Sequence, residues 1–360
     1  MNRRISALTI SISAALAALA EPQISWLTES HNFGVFNEAD GVQTCSFRFV
    51  NTGDEPLCIF SARASCGCTT PRYEKSPIAP GDTSAVEVAF DPTGRPGRFS
   101  KRIMIESNAA RRSSKLLIEG VVIGSDATIA NQYPYDMGPL RGSNASLMFG
   151  EVIRGRLKTV YLNGYNRSTA TIKPMVADKP RHIDVAFVPD TVAPGERMSI
   201  IFYLRSERCE LYGLNTDTVM ICSDKGAQPV PVVLTSMIEE DFSFLSDKAL
   251  AKAPAATIAD ERLDCKRLSH SDSITLTSSI TNTGGGDKLL IHRIYTNSPA
   301  VTVTADSHAL KKGKSAKLSV SVDASALPPD SAFINATITV VTNDPAHPRR
   351  ELRVVGELHN

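Results

Sequence analysis

Two cysteines separated by a single glycine form the most chemically distinctive segment of the chain, Ser65-Cys66-Gly67-Cys68-Thr69-Thr70-Pro71. Three chemistries are open to Cys66 and Cys68. Joined across one glycine they would form a strained disulfide, and strained bridges are oxidising. As thiolates they are candidate ligands for a soft metal such as copper or zinc. Packed beneath a loop they would be structural. A closed zinc site takes four ligands, yet no Cys/His pair stands at metal spacing, and His31 is the only histidine in the first hundred residues. The oxidoreductase pattern is Cys-x-x-Cys at the start of a helix, where the thiol pKa is lowered. A Cys-x-Cys loop does not reproduce it, so the structural reading leads.

Five further cysteines are Cys45, Cys58, Cys209, Cys222 and Cys265. Cys45 and Cys58 flank the turn Asn51-Thr52-Gly53, and a disulfide across it is expected. Cys209 and Cys222 flank Tyr212 to Asp217 and are a second expected pair. Buried free thiols are the alternative for both, since spacing does not fix connectivity. Other chemistry is missing from the sequence. There is no glycine-rich phosphate loop before a helix, no Gly-x-Ser-x-Gly elbow and no His-Glu-x-x-His, and the remaining histidines are scattered. A non-enzymatic protein without a cofactor is expected.

The elements that must carry these residues are short strands. In the last third, Ile274, Leu276 and Ile280 lead to Asn282-Thr283-Gly284; Leu289 and Ile291 follow, then Val301 and Val303. A turn at Lys312-Gly313 precedes Leu318, Val320 and Val322, and Ile334, Ile338 and Val340 alternate with polar residues before Asn343-Asp344-Pro345. The first third repeats that order: Cys45, Phe47 and Phe49, then Asn51-Thr52-Gly53, Pro80-Gly81, Val86, Val88 and Phe90, and Ser107-Asn108. In the middle copy Asn163-Gly164 is matched to the first turn and Pro194-Gly195 to the second. Period-two alternation marks half-buried strands, and Gly, Asn and Pro at the breaks mark turns. Repeated short strands without a helical period predict an all-β chain of three tandem immunoglobulin-like sandwiches. The expected domains are 21–124, 125–245 and 262–360, with 246–261 as a linker formed by a short helix or a loose segment.

The first twenty residues predict a cleaved signal peptide. Arg3 and Arg4 precede an uncharged run rich in Ala, Leu, Ile and Ser, and Ala18-Leu19-Ala20 is a small-x-small cleavage site that leaves Glu21 first. No later stretch is apolar enough to span a bilayer. The 39 basic and 38 acidic residues nearly balance at a net +1, and aromatics are 6%, so nucleic acid is not an expected partner.

The ordered series Phe47, Asn51-Thr52-Gly53, Ser65-Cys66-Gly67-Cys68-Thr69-Thr70-Pro71, Pro80-Gly81, Phe90-Asp91-Pro92, Gly97-Arg98-Phe99 and Ser107-Asn108 resembles the bacterial family called domain of unknown function 1573. The resemblance spans about residues 30–124. It implies a fold akin to hydin-type and PapD-type domains, and export, but no activity. The later two copies lack the Cys-x-Cys string and resemble only the broader immunoglobulin-like group. The leading expectation is an interaction or scaffold protein of the periplasm or cell surface with a protein or glycan partner. A redox or metal module at Cys66 and Cys68, and a PapD-like chaperone, are the alternatives.

Overall fold

The computed structural model describes residues 21–359; the signal-peptide reading of residues 1–20 lies outside them. Alternation builds the strands as expected. In Gln43–Asn51, Cys45, Phe47, Phe49 and Asn51 are buried while Thr44, Ser46 and Arg48 are exposed, because successive strand side chains point to opposite faces. The first set of strands is β1 (Ile24–Trp26), β2 (Ser30–Asn37), β3 (Gln43–Asn51), β4 (Ile59–Ala64), β5 (Thr69–Tyr73), β6 (Thr83–Phe90), β7 (Gly97–Ser107) and β8 (Ser113–Ile123). One sheet has the order β1-β3-β6-β5 and the other β2-β8-β7-β4.

The second set is β9 (Tyr135–Met137), β10 (Leu140–Gly142), β11 (Ser146–Ile153), β12 (Leu157–Asn166), β13 (Met175–Asp178), β14 (Ile183–Val188), β15 (Arg197–Arg205), β16 (Gly213–Cys222) and β17 (Val230–Glu239). Its sheets are β14-β15-β12-β10-β9 and β11-β17-β16-β13. The third set is β18 (Ala256–Ile258), β19 (Arg262–Ser269), β20 (Ser273–Asn282), β21 (Leu289–Thr296), β22 (Val301–Ala305), β23 (Ala309–Leu310), β24 (Ser315–Asp323), β25 (Phe333–Thr342) and β26 (Arg349–His359). Its sheets are β18-β20-β24-β22 and β19-β26-β25-β21-β23. Each set is an immunoglobulin-like pair of sheets: the first, second, fifth and fourth strands of the fold on one side, and the last two with the third on the other. The described residues divide into two compact units. One holds the residues through Gln132 with Tyr165–Thr171 and Val192–Glu196; the other holds the remainder. Within the segment expected to be a linker, Asp247–Leu250 is one helical turn, Ser246 Oγ accepts the Ala249 N–H, and β18 pairs with β20.

Three buried asparagines sit at the same point of the three copies. Asn51, Asn166 and Asn282 end β3, β12 and β20 and are fully buried. Asn51 Nδ2 donates to the carbonyls of Glu55 (2.8 Å) and Ile78 (3.0 Å). Asn166 Nδ2 donates to Ala170 (2.8 Å) and Val192 (2.9 Å), and Asn282 Nδ2 to Asp287 (2.9 Å) and Leu310 (3.0 Å). The Oδ1 atoms accept the N–H of Gly53, Ser168 and Gly284 at 3.0, 2.9 and 3.0 Å. The asparagine carbonyls in turn accept the N–H of Gly81, Gly195 and Gly313. Those three glycines have φ of 84°, 68° and 73°, a region costly for residues with a Cβ.

The middle copy corrects the sequence reading. Asn163 and Gly164 lie inside β12 rather than in a turn, and the residue equivalent to Asn51 is Asn166. The third residue of Asn-Thr-Gly is needed for space rather than for φ. A Cβ on Gly53 would lie 2.2 Å from the Glu21 carbonyl oxygen, and one on Gly284 would lie 2.4 Å from the Ala255 nitrogen. In the middle copy a serine, Ser168, serves instead.

Truncating such an asparagine strands one buried carbonyl, which costs about 1–3 kcal/mol when unsatisfied, and a second, part-buried one beside it. N51A is expected to lose about 3 kcal/mol in urea denaturation of the first sandwich. The fluorescence of Trp26, the only tryptophan in the chain, reports it because that ring packs on Phe49. In limited proteolysis N166A should be cut far faster than wild type, whereas N163A, an exposed position, should not.

Candidate functional site

Cys66 and Cys68 are joined to each other, with their Cα atoms 5.3 Å apart. Their loop connects β4 to β5. Each of those strands is the edge of its own sheet, so the bridge sits at the corner where the chain passes from one sheet to the other. Ser65 anchors the loop on one side: its N–H donates to the Arg102 carbonyl, and its Oγ accepts the Arg102 N–H. On the other side the Asp91 N–H donates to the Cys68 carbonyl (2.9 Å). Thr69 Oγ1 lies 3.6 Å from the Cys66 sulfur and 3.8 Å from that of Cys68. Cys68 is buried in the core of the first sandwich and Cys66 packs partly against it. At the far end of the same two strands, the Tyr73 hydroxyl donates to the Phe60 carbonyl.

A ring closed over three residues removes little chain entropy, about 1.5 kcal/mol, so the bridge acts locally by fixing the corner. In this bridge the sulfurs of the two candidate metal ligands are not thiolates and carry no charge for a soft cation. Among the described residues no three His, Cys, Asp or Glu side chains are grouped to hold a metal. His31 stands on β2 with its ring against Phe33.

Neither expected hairpin disulfide forms: Cys45, Cys58, Cys209 and Cys222 are free, as is Cys265. The connection after β3 is not a hairpin. It crosses from one sheet to the other, and Cys45 lies six residues before Asn51, about 20 Å along the strand. Cys58 stands at the opposite sheet, its N–H donating to Asn108 Oδ1 (2.7 Å). Cys209 and Cys222 fail for a simpler reason. Cys209 precedes β16 and Cys222 ends it, so the length of the strand, about 30 Å, separates them. Burial, reinforced by Glu87, pushes the Cys45 thiol up to about 11. Burial and Asp217 do the same for Cys209, also to about 11, and burial with Asp264 raises Cys265.

One grouping escaped the sequence reading. His182 Nε2 lies 2.9 Å from Asp217 Oδ2, and both line a depression of about 450 Å³ with Cys209. The chain separations gave no hint of it. Cys209, on the same rim, makes no hydrogen bond to the imidazole among the described residues, and burial holds its thiol pKa at about 11.

The more informative repeat is a groove. In each copy one strand pair is parallel, β2–β8, β11–β17 and β19–β26, and each carries a bulge, between Asn32 and Val35, Met148 and Gly150, and Asp264 and Arg267. The extra residue re-aims the strand and leaves a hollow on the outer face. One residue at each bulge has positive φ: Gly34 (72°), Gly150 (70°), which closes the second bulge after Phe149, and Lys266 (58°). Asn32 Oδ1 accepts the Gly34 N–H and Asp264 Oδ1 accepts that of Lys266, both at 2.8 Å. Opposite stand Gly120 and Gly356; a Cβ on either would crowd Phe99 or Cys265 within 2.9 Å. The first hollow, about 280 Å³, is lined by Asn32, Val35, Arg98, Ser100 and Glu119. The second, about 180 Å³, is apolar and lined by Met148, Leu214 and Met237 beside Glu151 and Arg349. The third, about 720 Å³, is mostly polar. Phe33-Gly34 and Phe149-Gly150 are the sequence signal that would have found the first two; the third copy has Cys265-Lys266 there.

Residues 24–122 match the model of the family described as protein of unknown function DUF1573. No curated protein matches the chain. Among solved structures, a protein of unknown function from Porphyromonas gingivalis W83 is 23% identical, with 61% of this chain and 100% of that chain covered and a TM-score of 0.48. An I-band fragment of titin is 11% identical, covering 95% of this chain and 100% of that one, with a TM-score of 0.25. The extracellular cadherin domains 1–4 of protocadherin gamma B7 are 10% identical over 95% and 76%, with a TM-score of 0.29. No helix among the described residues is long and apolar enough to cross a membrane.

The raised thiols predict a pH dependence. Between the ordinary thiol pKa of about 8.5 and about 11, the unfolded chain has lost protons that Cys45 and Cys209 keep when folded. Stability is therefore expected to fall as pH rises through that window. Urea midpoints at pH 8 and pH 10.5 should differ more for wild type than for C45A/C209A, and an equal drop in both proteins would contradict this.

Proposed function

We propose that this chain is an exported, non-enzymatic interaction scaffold of the periplasm or cell surface, with protein or glycan ligands. The observation that carries the reading is the repeated groove. One backbone device, a bulge beside a parallel strand pair, recurs in all three copies while the side chains on it differ in kind. The first hollow mixes polar groups with both signs of charge and the third is cationic. The second exposes Met148 and Leu214, at 77% and 44%. Sites placed on a shared frame are how a fold acquires separate binding properties.

Export is supported by the Cys66–Cys68 bridge, since disulfides persist in oxidising compartments. A role as a spacer is supported by the side chains that fasten the second and third sandwiches. Arg349 meets Glu151 (2.6 Å) and Glu239 (3.1 Å), His292 meets Glu240 (2.8 Å), and Arg293 donates to the carbonyls of Tyr212 and Leu214. Kinship with the hydin-type and PapD-type domains belongs to the same reading.

A thiol-redox role is the second reading, favoured by Cys66, which is only half-buried. The two separate in the native host by acid-quenched thiol trapping with mapping of the mature N-terminus. The scaffold reading predicts a chain that begins at Glu21, a bridge that stays fully oxidised, and no mixed disulfides in a C68S variant. Trapped mixed disulfides through Cys66 would replace it with the redox reading.

A further inference from the structure

The outer face of the third groove is built by three strands in register. Thr337, Arg353 and Arg262 form one row across β25, β26 and β19; Asn335, Val355 and Asp264 form the next; Phe333, Glu357 and Arg267 form the last. Lys266 bulges between the last two rows. Four cations therefore surround one hollow of about 720 Å³ that holds two acidic side chains. None of Arg262, Lys266, Arg267 and Arg353 is ion-paired among the described residues. In the first groove, by contrast, Arg98 is paired with Glu196, and in the second Arg349 is paired with Glu151.

The chain supplies its own controls. At the positions of Arg262, Lys266, Arg267 and Arg353 the first copy has Ser30, Gly34, Val35 and Leu117, on the same frame and with the same bulge. The frame therefore does not call for these cations. At the bulge it disfavours one: Lys266 is the only non-glycine residue with positive φ among the described residues. Residues held in such sparsely populated backbone conformations concentrate at functional sites.

We propose that this face binds an anionic glycan, a carboxylated or sulfated sugar chain, which deepens and rests on the scaffold reading. The arginines, with planar forked donors, suit carboxylate and sulfate groups. The first and last rows are four residues apart along β26, about 13 Å, which matches charges spaced along a polymer rather than a single small anion. Phe333, 67% exposed, offers an apolar ring for a sugar face at one end, and Asn335 offers both a donor and an acceptor to hydroxyls. A nucleic acid would take stacking platforms, and this face has a single aromatic ring.

The test uses the full mature chain with labelled heparin fragments and oligogalacturonate as probes, neutral dextran and single-stranded DNA as comparisons, and anisotropy as readout over a salt series. Binding to one of the two anionic glycans is expected, with no binding to dextran. R262S/R353L should weaken it at least tenfold and flatten its salt dependence. K266G is the decisive variant: it should weaken the glycan complex while raising the melting temperature, because glycine relieves the backbone. Lost binding in K266G therefore cannot be ascribed to misfolding. No binding by wild type, unchanged binding in R262S/R353L, or tighter binding to DNA than to either glycan would each overturn the proposal. Those results would leave the scaffold reading to the thiol-trapping experiment, which does not depend on this face.

Discussion

Each copy is organised around a fully buried asparagine whose amide joins three stretches of chain: the end of its own strand, the turn that follows and a segment before the neighbouring strand. Asn51, Asn166 and Asn282 each satisfy two carbonyls through the side-chain amide and accept the N–H of the residue two positions on through Oδ1, while their backbone carbonyls accept the N–H of Gly81, Gly195 and Gly313. A buried polar group of this kind is stabilising only when its capacity is filled, and here it is. The interaction fixes the exit of one central strand, the turn after it and the turn before the strand's neighbour. The alternation of the remaining strands then has a defined register in which to bury its apolar face.

That rigidity separates frame from surface. The inward residues are constrained by packing, so neither their size nor their polarity is free to change. Outward residues beside the bulge carry no such constraint. The three hollows accordingly hold mixed polar, apolar and cationic side chains on one backbone pattern. The disulfide belongs to the frame. Cys68 packs in the core and the bridge holds the corner between two edge strands, which is why the most conspicuous cysteines in the chain are better understood through the fold than through thiol chemistry.

Much of this was legible in the residues. Alternation in Cys45-Phe49 or Ile334-Val340 marks strands, and Asn-x-Gly with Pro-Gly or Lys-Gly marks the turns, because those signals are local. What failed was non-local. Local spacing makes the turn after β3 a hairpin with Cys45 opposite Cys58, whereas the connection there changes sheets. In the middle copy the motif points three residues early, because Asn163-Gly164 satisfies it and Asn166-Arg167-Ser168 does not. Only the bonding of the Asn166 amide distinguishes them. The third groove was invisible because its cations come from two strands paired in parallel across some ninety residues of chain, although Lys266 in place of a bulge glycine is a departure that alignment of the three copies exposes.

The central claim is that function in this chain is written on the outer faces of a common frame, and a graft tests it most directly. Placing the third groove's cations on the first through S30R, G34K, V35R and L117R, in a chain whose third groove is neutralised, asks the frame to carry the property alone. The account predicts that the grafted first sandwich keeps its Trp26 unfolding transition and acquires salt-sensitive binding to the anionic glycan that the neutralised chain lacks. A graft that folds and does not bind would contradict it.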